Sequence, residues 1–276
     1  MSAPAPTWGR YTELRPDALS AIRDAAPVAY LPWGALEWHG PHLPLGLDGL
    51  VAETVAERVA QLVGGVILPT TWWPITALPH RDSLSVRSEV VQALWEDIFA
   101  ELARASWKVI VVLSGHYAQG HDLLLMDAAE KAIARHGILV LGLPPLALVD
   151  EEMLDHAALW ETAQLLALRP DLVDLDTLGE GPLAPEESAV LGRDPRGAAT
   201  ASLGERALSL AVGRLAKAVE QLLIDGSAAP LQAFYAQRRL HYRPYIERYL
   251  GGSPEEGIIA WWNDLNQKRD KINSAE

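Results

Sequence analysis

Residues 108–113, KVIVVL, form an unbroken run of β-branched and apolar side chains after the leading lysine. A run of that kind reads as a strand buried on both faces, because a strand with one wet face alternates polar and apolar residues. Such a strand needs covering elements above and below, and the chain supplies them. Val90, Leu94, Ile98 and Leu102 recur at helical spacing before it, and residues 123–135 read as a helix after it, ended by Gly137, which takes the left-handed conformation at low cost. Residues 138–143 follow at once as a second apolar strand. Upstream, residues 28–33 read as a strand running into a Gly-containing turn, and Val51, Val55, Val59 and Leu62 mark a helix. Alternating strands and helices predict an α/β fold whose mainly parallel sheet is covered on both faces. Further helices are predicted over residues 157–168, stopped by Arg169-Pro170, and over residues 203–223. Residues 179–200, rich in Gly, Pro and acidic side chains, are expected to be loop.

At 276 residues the chain is long enough to bury a substantial core. Beyond Pro230 the composition shifts to Tyr, Arg, Gln and Trp. The expected division is therefore a main domain over residues 1–226 and an aromatic-rich extension over residues 227–276, serving as anchors on the domain or a neighbouring subunit, or as a lid. With 36 acidic against 23 basic residues the net charge is -13, a field that repels phosphate backbones and anionic membrane surfaces, so nucleic acid is not an expected partner. The opening MSAPAPTWGR lacks the basic start and apolar core of a leader, and no apolar run is long enough to span a bilayer, so a cytoplasmic protein is expected. The chain has no cysteine. Thiolate metal sites and cysteine nucleophiles are thereby excluded, and any metal must be held by His, Asp and Glu.

The segment GALEWHGPHLPLGLD sets Glu37 and His39 two positions apart at the end of a strand, where alternate side chains leave on the same side. Asp48 follows on the return of a Gly/Pro-rich loop. The segment VVLSGHYAQGHD places His116 just past the KVIVVL strand, with Gly115 and Gly120 permitting close approach of backbone. Two strand-end loops thus direct oxygen and imidazole donors at one crevice, the usual site position in open α/β sheets, and that donor set suits zinc, manganese or iron(II).

These segments resemble the motifs of the creatininase family. GALEWHGPHLPLGLD is similar to the signature E-x-H-G-x-H-L-P-x-x-x-D, SGHYAQ to the N-G-H-G/Y motif, HAALWETAQLLALRPDLVDL to the H-A-G-E-x-E-T-S stretch, and GRDPRGAAT to a late G-D-P-x-x-A-T element; together they run from about Thr12 to Asp225. The resemblance implies a three-layer α/β/α sandwich, a homo-oligomer such as a hexamer, and two divalent ions bridged by a carboxylate. On that pattern Asp48 is the bridge, Glu37 and His116 complete one ion, and His39 holds the other. His156 matches the histidine that handles the proton of the departing nitrogen, and Tyr117 a substrate-contacting position. His42 is read as a brace of its loop, and His121 and Asp122 as facing solvent or standing behind the ligands.

The chain also departs from the family pattern. Ala118 stands where creatininases in the strict sense carry a glutamate ligand, Gln119 stands where the other branch has asparagine, and Leu159 replaces a further glutamate. Glu161, five residues after His156, is then the candidate carboxylate for the second ion, with pairing to Arg169 or capping of the neighbouring loop as the alternative. The loop TWWPITALPHRDSL lacks the family's F-P-G-T, so Trp72, Trp73 and His80 are expected to line a rebuilt pocket, His80 as a substrate contact, with core filling as the alternative for the two tryptophans. The function implied is hydrolysis of a C–N bond in a cyclic or small amide by metal-activated water. Hydrolytic opening of a keto-sugar or carbocyclic ring, and a noncatalytic oligomeric scaffold, are the alternatives.

Overall fold

In the computed structural model, residues 7–273 are described, with side chains through residue 267; the start of the segment read for a leader lies outside them. Five strands, β1 (Trp8–Arg10), β2 (Val28–Trp33), β3 (Gly65–Ile67), β4 (Val109–Ser114) and β5 (Leu139–Leu143), form one sheet. Its order is β1-β3-β2-β4-β5, every pairing is parallel, and β2 matches β4 residue for residue from Val28↔Val109 to Trp33↔Ser114. All six residues of β2, all six of β4 and all five of β5 are buried, as the unbroken apolar runs require. The short strands β1 and β3 escape sequence reading because three residues are too few to show a period.

The helices are α1 (Pro16–Ala25), α2 (Leu47–Val63), α3 (Ser88–Arg104), α4 (Gln119–His136), α5 (Leu159–Leu168), the single turn α6 (Pro185–Ser188), α7 (Ala201–Asp225), α8 (Ala229–His241), α9 (Arg243–Tyr249) and α10 (Pro254–Asn273). Helices cover both faces of the sheet, giving the expected α/β/α layering. Helices α2, α5 and α7 pack on one another, and α3 packs on α4. Gly137 ends α4 at φ 66°, the left-handed cap its position predicts.

Three details of the helical reading are corrected. The buried face of α3 is Val91, Trp95, Phe99 and Leu102, while Val90 and Leu94 are exposed. Both stripes have helical spacing, and the one carrying the two aromatic rings goes inward because it removes more apolar area from water. Leu62, counted with the buried stripe of α2, is 63% exposed. Helix α2 also begins earlier than its apolar stripe, so Asp48 lies in its first turn and not in the loop before it.

Chain order reverses between β2 and β4, since β3 lies on the outer side of β2 while β4 joins its inner side. A crevice opens beyond the carboxyl ends of two such strands, where neighbouring connections leave in opposite directions.

Candidate metal centre

The loops leaving β2 and β4 are held against the start of α2. Gly115 N donates to the Trp33 carbonyl at 2.8 Å, so the two strand ends turn together. Above them the backbone of Asp48 and Gly49 approaches so closely that a Cβ on Gly34 would sit 2.2 Å from Gly49 N, and one on Gly115 would sit 2.0 Å from Asp48 O. Glycine at both positions therefore seats the Asp48 turn directly over the two strand ends.

Around Asp48 the structure brings together Glu37, His39, His116, His156 and Glu161. Asp48 Oδ1 lies 2.9 Å from His39 Nε2, and Asp48 Oδ2 lies 3.4 Å from His116 Nδ1. Glu37 Oε2 is 2.8 Å from His116 Nδ1, and Glu161 Oε2 is 3.7 Å from His39 Nε2. Two groups capable of holding an ion thus share Asp48: Glu37, Asp48 and His116 on one side, and His39, Asp48 and Glu161 on the other, all buried. A third grouping joins Glu37, His39 and His156. Glu161 does not turn to Arg169, which pairs with Asp171 instead, but its Oε2 also accepts from Ala157 N at 2.6 Å and so caps the loop before α5.

The histidines are presented in one protonation pattern. His39 Nδ1 lies 3.0 Å from the Glu37 carbonyl, His116 Nε2 lies 3.0 Å from the Ile75 carbonyl, and His156 Nδ1 lies 2.9 Å from the Ala189 carbonyl. A carbonyl only accepts, so each of these nitrogens is the donor and the opposite one turns its lone pair into the cluster. Glu37 Oε2, His39 Nε2, both oxygens of Asp48 and His156 Nε2 are buried without a hydrogen-bond partner. Five orphaned atoms converging from four side chains are costly in a protein interior unless cations lie between them, and the donor set of imidazole and carboxylate suits zinc, manganese or iron. The residues present therefore fit divalent metal.

In the absence of a cation, protons take its place. Burial disfavours the His39 and His116 imidazoliums, but Asp48 with Glu161 and Glu37 together outweigh it at His39, raising that group to about 10, and Glu37 with Asp48 together outweigh it at His116. Burial lifts Glu161 to about 8 against the pull of His39 and His156. Burial would also raise Glu37, yet His116 and His156 hold it well below the usual carboxylate range.

The supporting contacts come largely from a segment that sequence reasoning left unassigned. Ile75 supplies the carbonyl that orients His116, its N–H donates to His121 Nδ1, and Leu78 N–H donates to Glu37 Oε1. Between them Thr76 sits at φ 57°, a conformation non-glycine residues rarely adopt and one that a strongly determined surround must maintain. The family's missing F-P-G-T leaves no signal for this role. Asp155 was likewise missed: it accepts from Trp160 N and Glu161 N, fixing the first turn of α5.

Other expectations divide. His42 Nε2 bonds the Ala157 carbonyl at 3.0 Å, so it braces the turn that follows His156. Tyr117 lines the cavity over the cluster and donates to Gln164. His80 does not line that cavity; it stacks on Trp38 with ring centroids 4.1 Å apart, because the 79–84 turn folds back onto the first motif. Trp72 packs over Gly46 and Gly49, and Trp73 is 49% exposed, so neither shapes the pocket. His121 and Asp122 are fully buried, not solvent-facing: His121 meets the His116 ring edge-on at 5.0 Å, and Asp122 binds Arg238 and Tyr242.

Comparison with known proteins agrees with this architecture. The chain is 29% identical over 204 residues to the creatinine amidohydrolase of Pseudomonas putida, spanning 64% of this chain and 75% of that one. It is 30% identical over 211 residues to the mycofactocin precursor peptide peptidase of Mycolicibacterium smegmatis, spanning 67% and 81%. A crystal structure of creatinine amidohydrolase superposes with a TM-score of 0.68 at 25% identity, over 77% of this chain and 96% of that one, and a manganese creatininase does so with 0.67 at 25%, over 77% and 97%. With the creatinine amidohydrolase family model matching residues 12–219, and buried His, Asp and Glu groups able to hold a metal at the sheet's carboxyl edge, the chain belongs to the creatininase family of metal-dependent amidohydrolases.

Proposed function

We propose that the protein hydrolyses the C–N bond of a small or cyclic amide at two divalent ions that share Asp48. The observation that carries this reading is the Asp48 carboxylate itself, fully buried, with both oxygens free of hydrogen bonds and each facing a different donor group. Glu37 and His116 would complete one site, and His39 and Glu161 the other. Zinc or manganese fits the imidazole and carboxylate donors, and one structural relative is titled as a manganese creatininase. Bound there, the ions supply a water of lowered pKa and polarise the amide carbonyl.

The chain's own groups do the rest. His156 keeps its Nδ1 proton on the Ala189 carbonyl and turns a free Nε2 toward the cavity, 3.6 Å from Glu37 Oε1. In that tautomer it accepts the proton of the attacking water and returns it to the departing nitrogen, so that hydroxyl joins the carbonyl carbon and hydrogen joins the amine. Tyr117 contacts the substrate from the cavity wall. The curated relatives are named for a cyclic amide and for a precursor peptide, and amide hydrolysis is what those two names share.

A homo-oligomer in the cytoplasm completes the reading; no described helix is long and apolar enough to cross a membrane. The test is elemental analysis of protein purified without chelators, followed by assay of uncharged cyclic and linear amides with metal restored. Two ions per chain and metal-dependent amine release are expected. Protein that binds no divalent metal, or that releases no amine when loaded, overturns the proposal.

A further inference from the structure

The family match stops at residue 219, yet the cavity above the donor cluster is lined in part by residues well beyond that point. The cavity measures about 180 Å³, and Glu37, His116 and His156 form its floor. Tyr245 of α9 with Ile258 and Trp261 of α10 line it as well. Leu78, Leu154 and Leu191 extend the apolar lining. Among the described residues that line it, the charged side chains are the carboxylates Glu37 and Asp155 and the histidines, and none is lysine or arginine.

This wall is fastened to the catalytic layer at several points. Arg238 of α8 is buried and pairs with Asp122, in the first turn of α4, and with Glu151. The Tyr245 hydroxyl fits between α4 and α10, 3.4 Å from where a Cβ on Gly120 or on Gly257 would stand. Glu255 at the start of α10 accepts from the N–H and hydroxyl of Ser88, satisfying the open N-terminus of α3. Tyr249 and Arg248 of α9 both bind Asp264 of α10. An apolar face carried on helices braced in this way presents a fixed surface to whatever lies over the cluster.

We infer that α9 and α10 are the specificity wall of this enzyme, and that the substrate is an uncharged amide whose planar, apolar group lies against Trp261 while its C–N bond lies over the floor residues. Two features select that class. A cavity lined by both apolar side chains and a few polar groups rewards a molecule with one flat apolar side and one polar end. With no lysine or arginine among the lining residues, an anionic substituent on the apolar group, held away from the floor residues, would be desolvated without a partner. The inference rests on the amide-hydrolase reading given above.

The experiment uses full-length, metal-loaded protein and three probes: benzamide, 4-carboxybenzamide and acetamide. Binding is measured by calorimetry, amine release by assay, and metal content by elemental analysis. Wild type should bind benzamide about tenfold or more tighter than either other probe, on the scale of one buried aromatic contact with its area. Trp261→Ala should lose most of that preference with metal content unchanged, and Trp261→Phe should restore it; Ile258→Ala provides a second wall variant should Trp261→Ala fold poorly. The inference is overturned if wild type shows no preference for benzamide, if it prefers the carboxylated probe, or if the wall variants bind all three probes as wild type does. Benzamide binding that depends on Trp261, without release of amine from any amide, would instead sink the hydrolase reading and leave the wall assignment standing.

Discussion

At the scale of single residues, the centre depends on lone pairs that the fold aims and leaves unpaired. His116→Ala and Asp48→Ala should lose stoichiometric metal and turnover while keeping the far-ultraviolet circular dichroism of the native fold, because neither side chain belongs to the apolar core; stoichiometric ions in either purified variant would contradict that assignment. Glu161→Gln isolates the second site. Its carboxylate is the one that approaches His39 from α5, so the substitution should lower occupancy from two ions toward one and greatly slow hydrolysis, leaving the Glu37, Asp48 and His116 group in place. Protons and cations compete for the same donors, with His39 held at about 10 and Glu161 at about 8 when no cation is present. Cation binding at pH 7 must therefore release protons, and affinity should rise with pH through this range. Calorimetric titration with zinc in buffers of different ionisation enthalpy reads that proton release directly, and an affinity independent of pH would show that these groups do not bind the metal.

At the scale of elements, the close seating of α2 on the ends of β2 and β4 fixes the distance between the donor groups. Gly115→Ala places a methyl where the Asp48 carbonyl already stands, so either the turn or the helix must move. We expect a loss of about 2 kcal/mol or more, the range for forcing atoms into a packed interior, together with weakened metal binding, read by chemical denaturation and elemental analysis. The C-terminal helices offer a separate measure. Arg238 is 1% exposed and Asp122 is fully buried, so Arg238→Ala strands a carboxylate in the interior and should cost about 3–5 kcal/mol. Arg238→Met combined with Asp122→Asn should recover much of that loss. Equal destabilisation in the single and double variants would mean that packing, not charge, holds α8. The contrast between α3 and α4 shows where periodicity suffices: Gly137 marked the end of α4 correctly, whereas two competing stripes on α3 were separated only by the demand of Trp95 and Phe99 for burial.

At the scale of the whole molecule, the departures from the family pattern and the added helices bear on the same cavity. Ala118 offers no ligand, Leu159 is buried in place of a carboxylate, and α9 and α10 line the cavity with Tyr245, Ile258 and Trp261. Creatinine should accordingly be a poor substrate, with kcat/KM far below that of a dedicated creatininase assayed alongside; comparable turnover would make these departures irrelevant to specificity. Sedimentation equilibrium tests the proposed homo-oligomer, and a monomer across the accessible concentration range would reject it.

The sequence by itself marked the longer strands and helices, though not β1 or β3, and singled out the candidate donors. Continuous apolar runs have one stable solution in a parallel sheet, and Glu37, His39, Asp48 and His116 flank those runs in motifs whose spacing survives folding. What only the tertiary structure decided is how distant segments meet. The 75–78 loop orients Glu37 and His116, and Asp155 fixes the turn that delivers Glu161. His80 and the two tryptophans near it turn away from the cavity, and helices past residue 226 supply part of its lining. Each of these is a contact across many residues, set by which surfaces fill the remaining space. Local periodicity carries no record of that choice, because the free energy that settles it belongs to the packed pair and to neither segment alone.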